Sequence, residues 1–257
     1  MIGFLAAICG LLGLAIGSFL NVVIHRVPSK ESVVHPRSRC PECATPIAPR
    51  DNVPVVSWVA LRARCRHCGA RISVRYPLVE LGTGALFAAV ALRLGFDWAL
   101  PGFLVFSAVL VAVAVIDLQH YIVPNRIVFP TLAVSVPLLA IAAAIEGEWG
   151  DFERALLGLV IGGGGLLVVN LVYPRGMGMG DVKLALVLGL YLGWLGLDHV
   201  ALGLFLGFLL GAVIGVLLIV LRLRTRKQHV PFAPFLAAGA VIAVLVGEPI
   251  LRWYLGG

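Results

Sequence analysis

The sequence predicts an all-α polytopic membrane protein of about eight transmembrane helices, with a cytoplasmic zinc-binding loop between the first two. Three observations carry that expectation. The 257 residues are 60% hydrophobic and only 13% charged, with a mean hydropathy of +1.02, a profile too apolar for a soluble domain of this length. The apolar runs match the length a helix needs to cross roughly 30 Å of hydrocarbon, and Gly and Pro interrupt them rather than alternating polar residues, which favours helices over barrel strands. A single long polar segment, 25–76, holds four of the five cysteines as two C-x2-C pairs.

The expected spans are 2–24, 77–94, 100–116, 127–145, 155–173, 184–197, 201–221 and 232–251. The first resembles a signal peptide in being apolar and N-terminal. It lacks a basic n-region, however, and runs into "GSFLNVVIHRVP" without a convincing cleavage site, so it reads as a span. Cys9 within it reads as a small buried apolar residue. The second opens on "RYPLVELGTG" and carries Glu80 about one turn in, an acid able to pair with Arg75, hold a cation or stabilise its helix dipole. The third leaves the apolar phase at Asp117, in "VIDLQHYIVPNRI". The fifth contains four consecutive glycines, 162–165. The sixth is the shortest and follows "GMGMGDVKL", which contains Asp181. The last opens on "VPFAPFLAAGA".

Arginine and lysine set the expected orientation. With the N-terminus outside, the cytoplasmic segments hold seventeen of the twenty Lys and Arg residues, ten of them from Arg26 to Arg75. Only Arg93, Arg154 and Arg252 fall on the other side, where the loops carry Asp97, Glu146, Glu148, Asp151, Glu153 and Asp198. The positive-inside rule then puts both termini outside. The net charge of +7 is mostly this bias, assisted by attraction to anionic membrane lipids, and makes no separate case for nucleic acid as a partner.

The polar loop carries "CPEC" (Cys40, Cys43) and "CRHC" (Cys65, Cys68), with 21 residues between the pairs. That is close to zinc-ribbon spacing, and four thiolates around a tetrahedral Zn2+ suit it. Disulfides are the alternative, but the loop falls on the reducing side, where they rarely persist. Four protein ligands leave no position for water, so the zinc is expected to be structural, stapling a loop with few apolar groups. His67 offers a substitute ligand that four cysteines do not require.

Asp117 and Asp181 are 64 residues apart, yet both fall at cytoplasmic helix ends. Two carboxylates in one water-filled crevice do not both ionise cheaply; they share a proton, activate water and protonate a leaving amine, which is aspartic-protease chemistry. Such coupled protons belong to the pair. The plainer alternatives are a helix-end residue for Asp117 and an N-cap for Asp181. Gly176, Gly178 and Gly180 are expected to admit an extended substrate backbone and to free the loop for unusual φ/ψ. Lys183 reads as a flanking cation, and His120, Tyr121 and Asn125 as candidates to line the crevice.

Taken in order, "GSFLNVVIHRVP", the paired C-x2-C knuckles, "RYPLVELGTG", "DLQHYIVPN", "GMGMGDVKL" and "VPFAPFLAAGA" resemble the bacterial type IV prepilin peptidases, bifunctional leader peptidases and N-methyltransferases of the GxGD aspartic proteases. The resemblance implies a multi-pass inner-membrane enzyme whose active site faces the cytoplasm. It would remove the short basic leader of type IV prepilins or pseudopilins after a glycine and methylate the new N-terminal amine from S-adenosylmethionine. Carried over, it makes Asp117 and Asp181 catalytic and assigns Cys40, Cys43, Cys65 and Cys68 to the cysteine motif. The implied division is a first helix 1–24, a loop 25–76 associated with methyl transfer, and a seven-helix peptidase domain 77–257. Where the family commonly has glycine this chain has Ala233, a change expected to touch neither aspartate. No G-x-G-x-x-G segment supports a Rossmann-like cofactor site, so an S-adenosylmethionine pocket is expected at helix ends and loop, near Gly17, Ser18, Asn21, Arg26 and Glu80. The run 162–165 could receive the pilin helix or pack the protein's own helices.

Three rival readings remain: a peptidase without methyltransferase activity, a transporter with interfacial acids, and a non-catalytic zinc-bearing scaffold. A transporter predicts an inverted repeat and midplane acids, and the sequence displays neither clearly.

Overall fold

The computed structural model describes residues 1–174, 177–222 and 230–255 and divides into two compact units, Met1–Phe96 and Asp97–Gly257. Gly176 and the basic stretch 223–227 lie outside the described residues.

In the first unit, α1 (Ile2–Arg26) packs on α3 (Arg75–Leu94), and the polar loop between them carries the short α2 (Val56–Ala60). Pro77 falls in the first turn of α3, where a missing N–H breaks no helical bond. Small residues let the two backbones meet: a Cβ on Gly13 would lie 2.8 Å from the Gly84 Cα, and one on Gly17 would lie 2.7 Å from the Glu80 Cα. This is small-xxx-small packing, which suits membrane helices because lipid tails give no hydrophobic drive to association. Cys9 is buried, as expected.

The second unit holds α4 (Leu100–His120), α5 (Asn125–Glu146), α6 (Trp149–Val172), α7 (Met179–Leu195), α8 (Leu197–Val220) and α9 (Ala233–Leu255). Its centre is α7, buried almost continuously from Asp181 to Trp194, as befits a helix apolar on every side. Glycines seat α6 on it. A Cβ on Gly158 would meet the Gly189 carbonyl oxygen at 2.3 Å, and one on Gly162 would meet the Ala185 oxygen at 2.9 Å. Of the four consecutive glycines, Gly162 and Gly163 face α7, whereas Gly164 and Gly165 look into open space. Tyr191 fills the core against Phe103 and Phe106 and donates its hydroxyl to the buried Ser135 Oγ at 2.6 Å. The non-helical Val246 kinks α9, three residues before Pro249, whose ring denies the preceding turn a hydrogen bond.

The protein is all-α and multi-pass. Among the described residues, seven helices are long and apolar enough to cross a membrane: α1, α3, α4, α5, α6, α8 and α9. The eighth, α7, has 17 residues, about 26 Å of helix against roughly 30 Å of hydrocarbon. It starts at Met179 rather than at the expected 184, because the polar "MGDVK" turn continues the helix beyond the apolar run.

Candidate active site and metal centre

Three helix ends converge in the second unit. Asp117 lies on the last full turn of α4, which closes with Tyr121 in the left-handed region at φ 56°. A carboxylate near a helix C-terminus faces the negative end of its own helix dipole. The compensation comes from α9. Asp117 Oδ2 accepts the Ala233 backbone N–H at 3.0 Å, and the Phe232 amide lies beside the same carboxylate. The N-terminus of α9, with its unpaired amides and positive dipole end, therefore closes over Asp117, which is only 5% exposed.

Asp181 occupies the third position of α7, after the N-cap Gly178. It is not the cap itself; its carboxylate turns back towards the Gly178 backbone, with Oδ2 3.3 Å from where a Cβ on Gly178 would lie. Asp181 is 8% exposed, and Asp117 acts on it electrostatically. The structure thus brings the two sequence-selected aspartates into one buried, interacting pair.

The glycines around Asp181 answer to packing more than to loop freedom. Gly178 has φ −75° and ψ 144°, an ordinary extended conformation, and Gly180 is helical. A Cβ on Gly180 would come within 2.9 Å of Val123 Cβ, so this glycine lets α7 dock against the "YIVPN" turn. The expected unusual φ/ψ is corrected at both positions. Lys183 donates to Asn125 Oδ1 at 3.0 Å and lies 5.9 Å from the Phe129 ring centroid, which ties the start of α7 to α5. His120, Tyr121 and Asn125 are exposed.

Two contributors escaped the sequence reading. Ala233 was expected to touch neither aspartate; its backbone amide binds Asp117, a contact that no side-chain pattern advertises. Buried Asn170, the lone amide in the apolar stretch of α6, donates to the Met177 carbonyl at 2.8 Å and anchors the loop leading to Asp181. An isolated Asn in a membrane helix was the available signal.

In the first unit the four loop cysteines form one cluster. Their sulfur atoms all lie within 4.8 Å of one another, and Cys40 and Cys68 Sγ are 3.9 Å apart. Zn–S bonds of about 2.3 Å in a tetrahedron give S···S edges of roughly 3.8 Å, so the cluster can hold a metal ion such as zinc. Each pair sits on a matching knuckle. The Cys40 amide donates to Thr45 O and the Ala44 amide to Cys40 O; Cys65 with Ala70, and Gly69 with Cys65, repeat the pattern. Isolated bridges, Arg39 with Pro46 and Arg64 with Arg71, close both knuckles. The Thr45 hydroxyl and amide beside Cys43 hold its thiol down at about 6, whereas Cys68, despite the Ala70 amide, is pushed up to about 12 by burial and the three neighbouring thiols, so the four sulfurs share their protons rather than ionise together without a cation.

Beside the cluster a cavity of about 800 Å³ opens between the loop and the facing ends of α1 and α3. Ser18, Asn21, Arg26 and Glu80 line it, while Gly17 is packed against Glu80. Arg26 is buried and donates to Ser32 O at 3.0 Å. Glu80 Oε2 accepts the Val55 amide at 2.7 Å. That bond secures a β-branched residue at φ 60°, a conformation such residues rarely adopt.

Comparisons with known proteins identify the family. Residues 11–94 match the bacterial peptidase A24 N-terminal domain, and residues 104–220 match the type IV leader peptidase family. A prepilin leader peptidase/N-methyltransferase of Aeromonas hydrophila is 39% identical, the match covering 95% of this chain and 92% of the relative. Relatives of the same name from Pseudomonas aeruginosa and Bacillus subtilis are 37% and 36% identical over 95% of this chain, and over 91% and 95% of their own lengths. No solved structure matches the chain significantly. With both domains matched in order and relatives aligned over nearly their full length, the chain belongs to the type IV leader peptidase family.

Proposed function

We propose that the protein is a membrane aspartic endopeptidase that removes the short basic leader of type IV prepilins or pseudopilins after a glycine. It then methylates the new N-terminal amine with S-adenosylmethionine. The observation that carries the peptidase half is the buried, electrostatically coupled pair Asp117 and Asp181. One carboxylate takes a proton from water as the water oxygen bonds to the glycine carbonyl carbon. The pair then returns a proton to the nitrogen as the C–N bond breaks, freeing the α-amine of the mature pilin. The Ala233 amide orients the Asp117 carboxylate.

The methyltransferase half is assigned to the first unit. The Cys40, Cys43, Cys65 and Cys68 cluster takes structural Zn2+, supported by sulfur spacing that suits a tetrahedral site. The adjoining cavity takes S-adenosylmethionine, which supplies an electrophilic methyl group. Ser18, Asn21, Arg26 and Glu80 line it, and Gly17 brings α1 close enough to α3 to build it. In this reading the loop and the aspartates face the cytoplasm at the inner membrane, where a basic leader preceding a pilin helix would arrive, and the Lys and Arg distribution supports it.

Replacing Asp117 or Asp181 by Asn is expected to lower leader removal by several orders of magnitude while the protein still inserts and folds. Incubating each variant with a prepilin and S-adenosylmethionine, then weighing the product, reads cleavage and methylation separately. Leader removal retained in both variants would end the peptidase assignment.

A further inference from the structure

The cavity of the first unit has a polarised inner wall. Asn21 is 3% exposed, and its side-chain nitrogen donates to Gly17 O at 3.3 Å and Tyr76 O at 3.1 Å. Two carbonyl partners fix which way the amide points. Its Oδ1 is buried and has no hydrogen-bond donor among the described residues. Tyr76 and Glu80 are one helical turn apart on α3, so the Glu80 carboxylate lies on the helix that faces Asn21. Glu80 is 7% exposed, and the Val55 amide uses one of the roughly four acceptor sites a carboxylate offers. Both residues line the cavity.

A buried acceptor without a donor is destabilising, and a buried carboxylate calls for a compensating charge. A primary ammonium answers both, with three N–H donors and one positive charge. Arg26, Arg39, Arg71 and Arg75 also line the cavity, but a carboxylate or phosphate brings no donor to Asn21 Oδ1, and a hydroxyl brings no charge to Glu80. We infer that Asn21 Oδ1 and Glu80 form the subsite for an aliphatic ammonium group. This rests on the methyl-transfer reading of the cavity and deepens it. Two ammonium groups come to such a cavity: the one on the amino-acid end of the methyl donor, and the α-amine of the cleaved pilin.

Two thioadenosine probes separate these sources. S-adenosylhomocysteine carries the amino-acid ammonium and 5′-methylthioadenosine lacks it. Calorimetric affinities for both are measured on the zinc-loaded, full-length protein in lipid nanodiscs, alongside the KM for a cleaved pilin peptide. The variants are Glu80→Gln, which still accepts the Val55 amide, and Asn21→Ala. Zinc content and thermal unfolding report whether each variant is folded.

With the donor's ammonium in the subsite, both substitutions weaken S-adenosylhomocysteine by about tenfold or more and leave 5′-methylthioadenosine within about twofold. With the pilin amine there, both probes bind as before and the peptide KM rises about tenfold or more. Unchanged affinities and KM in folded variants of a wild type that methylates would overturn the subsite alone. Equal weakening of both probes would overturn it too, since that reports a collapsed cavity. A wild type that neither binds S-adenosylhomocysteine nor methylates removes the methyl-transfer reading and the subsite together. If Glu80→Gln does not fold, Asn21→Ala decides.

Discussion

Asp97 shows how a single side chain in the turn before α4 carries a pH signature. It is half-buried, and burial pushes its carboxyl above the usual carboxylate range; the Ala99 amide opposes the rise, and Glu146 and Asp151 add to it. A raised native pKa means that the folded state holds the proton more tightly than the unfolded chain. The stability this group contributes is therefore fully present below its unfolded value of about 3.9 and is lost as pH rises through the folded value. At pH 7 the ionised side chain is a net cost. Asn in its place keeps an oxygen for the Ala99 N–H, now bonded at 2.6 Å, and removes the charge. Asp97→Asn is expected to raise Tm by on the order of 2 °C at pH 7, and the gain should shrink towards pH 4. Melting curves of both proteins at the two pH values check this, and coincident curves at pH 7 would refute it.

At the scale of elements, the start of α9 combines a helix boundary with a site contact. Ala233 is the first helical residue, and its amide, which has no partner within its own helix, binds Asp117. Proline is favoured at that first position because the N–H it lacks is not needed by the helix. Ala233→Pro thus removes the donor while sparing the helix. A hydrogen bond to a charged group contributes about 1.5–3 kcal/mol, so leader cleavage should slow by about tenfold or more, while Tm falls by several degrees, at most about ten, and the protein stays folded at the assay temperature. Ala233→Gly keeps the amide and should cleave like the wild type. Full activity in the proline variant would dismiss this contact. The same boundary marks what a sequence can and cannot disclose. Spans were legible because bilayer thickness sets the length of an apolar run, and the two aspartates and four cysteines because their residue types are costly or rare where they stand. Helix ends were less so: α1 runs on to Arg26, α4 to His120, and α7 begins at Met179, since polar residues continue a hydrogen-bond ladder that hydropathy cannot follow. Contacts made by backbone amides, such as Ala233 with Asp117, or by a missing Cβ, such as Gly180 with Val123, depend on neighbours distant in the chain and leave no local pattern.

At the scale of the whole molecule, the proposed chemistries fall in separate units. Asp117, Asp181 and the α9 amides all belong to Asp97–Gly257, whereas the cysteine cluster and its cavity belong to Met1–Phe96. Each unit has its own packing: glycine contacts between α1 and α3 in the first, and the α7-centred core in the second. A metal held by the four cysteines would staple the loop, whose largest organised features are two knuckles closed by isolated bridges, the 3-10 turn Pro49–Asp51 and the short helix α2. Metal affinity in so small a fold is folding free energy. Replacing Cys40 and Cys43 together by Ser should therefore release the ion, unfold the cavity wall and lower methyl transfer by at least about a hundredfold, the loss typical when ligands or their support are removed. Leader cleavage should stay within about threefold, since the aspartates belong to a unit whose core is packed around α7 and contains none of the cysteines. A mass spectrum of pilin treated with the double variant should show the leader gone and the methyl absent. Undiminished methylation in protein shown to be zinc-free would dismiss the metal's structural role, and loss of cleavage in step with methylation would dismiss the division of labour.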